Sequence, residues 1–111
     1  MEGCRMSDYY ILDDDKNAIP ADLGTWATFF EKSEGRRVAL THVTDRITVS
    51  TVFLGMNHQY GEGPPLIFET LVIGGLMEGE MDRCSTWAEA ETMHERLVGK
   101  ASRSAAVGYV P

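Results

Sequence analysis

The stretch Ser50–Gly75, STVFLGMNHQYGEGPPLIFETLVIGG, contains two apolar, β-branched runs that flank a ten-residue polar insert. Alternating runs of this length are typical of strands, and a polar insert with glycine and proline is typical of a connecting loop. In the second run, LIFETLVIGG, both alternating faces are apolar, which predicts a central strand or one covered on both sides. Glu69 interrupts this run, and a buried carboxylate needs a hydrogen-bond donor or a cation.

The segments before this stretch add a hairpin, a helix and an earlier strand. RRVALTHV and RITVSTVFLG, separated by Thr44-Asp45, predict a β-hairpin. Ser7–Asp15 predicts a strand that ends in a turn. Between them, four apolar residues recur at helical spacing and predict a helix that ends at Gly35. These four residues are Leu23, Trp26, Ala27 and Phe30.

The segment STWAEAETMHERLVGK predicts the last helix. Thr86 and Glu89 form a capping-box pattern before an apolar stripe, and Gly99 is the expected end. The element order β-α-β-β-β-α predicts an α+β fold of two layers, in which two helices pack on a mainly antiparallel sheet of about four strands. We expect a single domain over residues 1–100 and a C-terminal tail over 101–111.

Composition limits the classes of function. The chain has 111 residues and a net charge of −7, which argues against direct binding to nucleic acid because phosphates require a basic surface. It has no apolar run long enough to span a bilayer and no signal-peptide core, which predicts a cytoplasmic protein. Cys4 and Cys84 match no metal-binding spacing and are expected to be free thiols.

The polar insert holds the first candidate binding residues. Asn57, His58, Gln59 and Tyr60 form a polar and aromatic cluster in the loop MNHQYGEGPP. Two interpretations stay open: the cluster binds a ligand or partner, or it only closes a long hairpin loop. Glu69 is a further candidate, either as a ligand-binding or acid–base carboxylate or as a structural group bonded to an amide, a hydroxyl or an arginine.

The other titratable residues predict little chemistry. His94 lies on the apolar side of the last helix and is expected to bond a strand carbonyl, and the three histidines lack the spacing of a metal site. We therefore expect no metal and no cofactor. The scattered acidic residues are expected to form solvated surface. Phe29 falls off the main stripe of its helix and is a candidate for a subunit contact.

The segments STVFLGMNH, GPPLIFETLVIGG and STWAEAETMH together resemble a family of small, largely uncharacterised proteins of tailed bacteriophages and prophages. The resemblance covers about Tyr9 to Leu97. It implies a virus-derived protein in a bacterial cytoplasm, and it implies no particular reaction. The chain departs from the family pattern in its first six residues, in Ile73 where an aromatic residue is common, and after Lys100. The matching positions are Ser50–Gly55, His58, Phe68–Thr70, Gly74-Gly75 and Ser85–Trp87.

Composition and resemblance together favour a non-enzymatic phage or prophage accessory protein. It would bind a host or phage protein through the loop and acidic patches, for example as an inhibitor of a bacterial defence system such as CRISPR. Two other classes stay open. One is a small enzyme or ligand-binding module that uses Glu69 with His58 or His94. The other is a virion or assembly component, in which the chain forms a homo-oligomer through an exposed sheet face.

Overall fold

The computed structural model describes residues 8–32, 36–59 and 61–108. In this part of the chain it has six strands and two helices. The strands are β1 (Tyr9–Leu12), β2 (Ala18–Ala21), β3 (Arg37–His42), β4 (Thr48–Phe53), β5 (Phe68–Ile73) and β6 (Met81–Cys84). The helices are α1 (Leu23–Lys32) and α2 (Trp87–Gly108).

Four strands form one antiparallel sheet in the order β3-β4-β5-β6. The predicted hairpin is β3–β4, and the segment containing Glu69 is the central strand β5. Strands β1 and β2 form a separate hairpin, and an antiparallel bridge from Tyr9 to Met56 joins it to the segment that follows β4. The predicted α+β fold with two helices and an antiparallel sheet is thus confirmed.

One face of the sheet is buried beneath the helices. Phe53 of β4 and Phe68 of β5 are fully buried and pack with their ring centroids 5.1 Å apart. At the other end of the same face, Val49 and Val72 are fully buried against Leu97 of α2. Because side chains alternate across a strand, burial of these positions leaves their neighbours on the opposite face.

Helix α1 and the β1–β2 hairpin cover the Phe53 end of this face. Phe29 of α1 meets Phe53 edge-on at 6.0 Å and packs half-buried against the core, and its role in a subunit contact stays a prediction. At Gly55 the backbone after β4 lies against α1 and β1, and the φ of this glycine is 71°. A Cβ atom at this position would lie 2.6 Å from Trp26 and 2.7 Å from the Tyr10 carbonyl, so only glycine fits.

Helix α2 begins with the predicted capping box. The Glu89 amide donates to Thr86 Oγ1 at 3.1 Å, and the Thr86 amide donates to Glu89 Oε1 at 3.2 Å. The helix does not end at Gly99 as predicted but continues to Gly108. Ala101 is fully buried beside Leu97, and this packing outweighs the weak helix propensity of a single glycine.

The second face of the sheet is open. Leu40, Leu71, Ile73 and Met81 are between 37% and 48% exposed on it. Strand β5 is therefore central and covered on one side, so the first of the two predicted alternatives is present and the second is not. The apolar run could not decide between them because it does not reveal whether a second layer is present. Among the described residues, none of the helices is long and apolar enough to cross a membrane.

Candidate functional site

Glu69 lies on the open face and pairs with an arginine. The register of β5 and β6 places it directly opposite Arg83. Arg83 donates from Nε at 3.1 Å and from Nη2 at 3.0 Å, both to Glu69 Oε2. The two side chains are only 21% and 30% exposed, so the guanidinium compensates a partly desolvated carboxylate. Of the partners considered for Glu69, the arginine is the one present.

The base of the 57–65 loop is closed by Asn57. Its Oδ1 accepts from the Gln59 amide at 2.8 Å and from the Leu66 amide at 3.1 Å. The Asn57 amide itself donates to the Asp8 carbonyl at 3.0 Å. One side chain thus satisfies backbone donors on both arms of the loop, so Asn57 shapes the loop and its side-chain oxygen is already engaged.

The other candidate residues of the loop are His58, Gln59 and Tyr60. The His58 amide donates to the Leu66 carbonyl at 3.0 Å, and its side chain is half-buried. Gln59 Nε2 donates to the Pro64 carbonyl at 3.3 Å, which tightens the loop from inside. Tyr60 lies outside the described residues. Asn57, His58 and Gln59 are therefore together at one end of the sheet, while Glu69 faces the open side of β5.

A cleft lies beside this loop. It has a volume of about 600 Å³, which is in the range of small-molecule and peptide sites. Its walls come from three segments: the β1–β2 turn, the Pro64-Pro65 end of the loop, and the first turn of α2. Tyr10 and Ile67 line it and are buried, whereas Pro64 is exposed and Trp87 is half-buried. The cleft thus combines an apolar lining with an exposed rim.

Three charged residues line the cleft together with Trp87. Lys16 Nζ lies 4.5 Å from the ring centroid, and Asp15 and Glu91 also line the cleft. The Lys16 backbone has a φ of 69°, which a turn held by Asp13 imposes: Asp13 Oδ1 accepts from the amides of Asp15 and Asn17 at 2.9 and 2.8 Å. Two carboxylates against one ammonium make the rim acidic overall, like the chain as a whole.

His94 forms a buried polar network beneath α2. Its Nε2 is 2.8 Å from Thr41 Oγ1, its Nδ1 is 2.7 Å from Thr51 Oγ1, and Thr51 is 2.5 Å from Thr70 Oγ1. The ring is 2% exposed, and burial lowers its pKa although Glu95 acts weakly in the opposite direction. The partners are strand hydroxyls, so the expected bond to a strand carbonyl was wrong.

The proposed pairing of Glu69 with His94 finds no support in this geometry. His94 binds Thr51 under the helix layer, whereas Glu69 lies on the opposite face of the same sheet. Among the described residues, no three His, Cys, Asp or Glu side chains come together as a metal site requires. Cys84 is a free thiol whose pKa burial raises to about 11, so it is protonated at neutral pH.

Sequence reasoning missed most of the cleft. Trp87 was assigned to a core stripe, which its contact with Phe68 confirms, but its place in the cleft was not predicted, and Lys16 was not singled out. The cation–π contact joins residues 71 positions apart in the chain, so no local spacing reveals it. The Pro64-Pro65 pair was the available signal, because prolines fix the backbone of a loop that can carry binding residues.

Comparison of the chain with protein-family models, with curated proteins and with solved structures finds no match. The resemblance to small phage proteins therefore stays a prediction. The assignment of function depends on the geometry and charge of the sites above.

Proposed function

We propose that this chain is a non-catalytic accessory protein that binds a protein partner with the 57–65 loop and the adjoining cleft. The observation that supports this most is the cleft itself, about 600 Å³ in volume and open at the rim formed by Pro64 and Trp87. A binding surface of this kind requires a firm support, which the Asn57 staple and the capped start of α2 provide.

The chemistry of the cleft favours a peptide segment with an apolar side chain and a cation. Trp87 and Pro64 offer apolar contact area, and Trp87 already accepts the Lys16 ammonium on its ring. Asp15 and Glu91 are exposed acceptors for an arginine or lysine of the partner. The chain's net charge of −7 would attract a basic partner surface over longer distances.

The biological setting in this proposal comes from the sequence resemblance. A phage or prophage origin places the protein in the bacterial cytoplasm, where the partner is a host or phage protein. An accessory protein that blocks a basic groove of a defence complex, such as a CRISPR effector, fits the acidic rim. The reason is that such grooves are built to hold nucleic-acid phosphates, for which carboxylates can substitute.

Two charge reversals at the rim test the proposal. The wild-type protein captures its partner from phage-infected bacteria, mass spectrometry identifies that partner, and the purified partner is then titrated against each variant. We expect Asp15→Lys and Glu91→Lys each to weaken binding at least about tenfold, because like charges would replace opposite ones at the contact.

Glu78→Lys is the matched control. Glu78 is exposed in the turn between β5 and β6 and does not line the cleft, yet its reversal changes the net charge equally. We expect this variant to bind nearly as the wild type does at physiological salt, where distant charges are screened. Equal affinity of all three variants, with unchanged melting temperatures, would reject the cleft as the contact surface.

A further inference from the structure

The open face of the four-stranded sheet is organised in rows. The strand register places the outward side chains of neighbouring strands directly beside one another. The central row is mostly apolar, and the row beside it holds all of the face's formal charges. The three rows are Arg37–Val52–Glu69–Arg83, Leu40–Ser50–Leu71–Met81, and His42–Thr48–Ile73.

The charge of this face differs from that of the molecule. Two arginines and one glutamate give it a net charge of +1 with His42 neutral, in a chain whose net charge is −7. Two such faces can approach each other while the acidic surfaces of both copies point outward to solvent. An acidic protein therefore repels its own copies less through this face than through the rest of its surface.

We propose that the open face is a self-association surface, on which a second copy packs face to face about a twofold axis parallel to β4. This inference concerns a different surface from the cleft and does not depend on the proposed function. A twofold axis along a strand preserves each residue's position along that direction, so every row meets the same row of the second copy. Strand β3 then lies over β5 of the second copy, with the strands aligned as in other packed sheet pairs.

This axis makes the rows self-complementary. Arg37 faces Glu69 of the second copy, and Leu40 faces Leu71, each pair occurring twice. Both bonds from Arg83 end on Glu69 Oε2, which leaves Oε1 as an acceptor for the incoming guanidinium. An axis along β5 would instead oppose the two Glu69 carboxylates, and an axis between β4 and β5 would oppose Arg37 and Arg83. An axis between β5 and β6 would also oppose Glu69 and Arg83, but it would overlap only two strands, whereas the β4 axis overlaps three. Among axes parallel to the strands, charge complementarity and the extent of overlap together therefore favour the β4 axis.

The size of the face predicts a weak dimer. Strand spacing and rise give roughly 300–400 Å² of overlapping face per copy. The area buried on both copies together is below the ~1,200 Å² at which stable interfaces begin. An interface of this smaller size is typical of transient contacts. We expect a reversible dimer that forms with rising protein concentration, and not a permanent one.

Sedimentation equilibrium from micromolar to millimolar concentration measures this association. We expect the average mass of the wild type to rise from monomer toward dimer, and Leu71→Lys and Arg37→Glu to stay monomeric over the same range. Leu76→Lys is the matched control: Leu76 is 74% exposed in the turn after β5, away from the three rows, and this variant should dimerise like the wild type.

A charge swap tests the register. Arg37→Glu combined with Glu69→Arg and Arg83→Glu exchanges both members of each proposed pair and keeps an ion pair between positions 69 and 83 within each chain. We expect this triple variant to recover dimerisation that Arg37→Glu alone loses. Arg37 is exposed, so circular dichroism should show that its variant stays folded. A wild type that remains monomeric at millimolar concentration, a dimer that survives Leu71→Lys, or a triple variant that stays monomeric would each overturn the proposal.

Discussion

At the scale of single residues, the charge in the most apolar strand has a simple physical explanation. Glu69 faces the uncovered side of the sheet and meets Arg83 on the neighbouring strand, so it is neither isolated nor immersed in the core. The sequence alone limited the partner to an amide, a hydroxyl or an arginine. It could not identify Arg83, because β6 is short and polar and was not predicted as a strand, so its register with β5 was unknown.

Asn57 gives the first prediction at this scale. Asn57→Ala should lower the free energy of unfolding by about 1–2 kcal/mol, because two backbone amides of the loop lose their acceptor. Asn57→Asp keeps a side-chain oxygen at the same place and should lose clearly less. Urea denaturation measures both. Equal stability of Asn57→Ala and the wild type, or equal losses in the two variants, would contradict the assigned role of Oδ1.

At the scale of elements, α2 joins the two ends of the core. The helix stripe was predictable from its spacing, since Trp87, Met93 and Leu97 all lie toward the sheet. Its length was not predictable, because the burial of Ala101 is a tertiary effect that no local stop signal reveals. Arg96 and Lys100 also pair with Asp82 and Glu80 across to β6 and the turn before it, a contact that depends on the register of the whole sheet.

His94 on this helix predicts a pH dependence of stability. Its pKa is lowered in the folded state from the ordinary 6.5, so the unfolded chain binds the proton more tightly. Stability is therefore complete above about pH 6.5 and falls as the pH drops below that value, by at most about 1.4 kcal/mol per pH unit. Asp22 has a pKa that is lowered from 3.8 by hydrogen bonds from Thr25, so its titration reduces stability only at more acidic pH.

The free energy of unfolding, measured by denaturation at several pH values from about 7.5 to about 5.5, reports the titration of a histidine. We expect the wild type to lose stability over this interval and His94→Gln, although less stable throughout, to show a flatter profile. His42→Gln is the matched control, because His42 is exposed and bonds the exposed-side hydroxyl of Thr48 across the hairpin. An unchanged slope in His94→Gln would show that another group causes the loss.

At the scale of the whole molecule, the layers decide what each surface can do. One face of the sheet carries α1, α2 and the β1–β2 hairpin, and the cleft lies at the edge of that layer. The opposite face is open, and on it a row that contains the charged side chains lies beside a mostly apolar row. The alternation of Leu66, Phe68 and Val72 with Ile67, Leu71 and Ile73 predicted the strand but not its cover, since both faces are equally apolar in sequence.

The one-sided cover of β5 is the central claim, and two adjacent residues test it directly. Leu71 is 37% exposed on the open face, and Val72 is 1% exposed beneath α2. In a chain with Cys4→Ser and Cys84→Ala, a cysteine is placed at either position and its reaction with a maleimide is timed at dilution under native conditions. Leu71→Cys should react nearly as fast as in the unfolded chain, and Val72→Cys only through transient opening, orders of magnitude more slowly. Equal rates, or faster reaction at position 72, would contradict the sheet orientation on which both proposals depend.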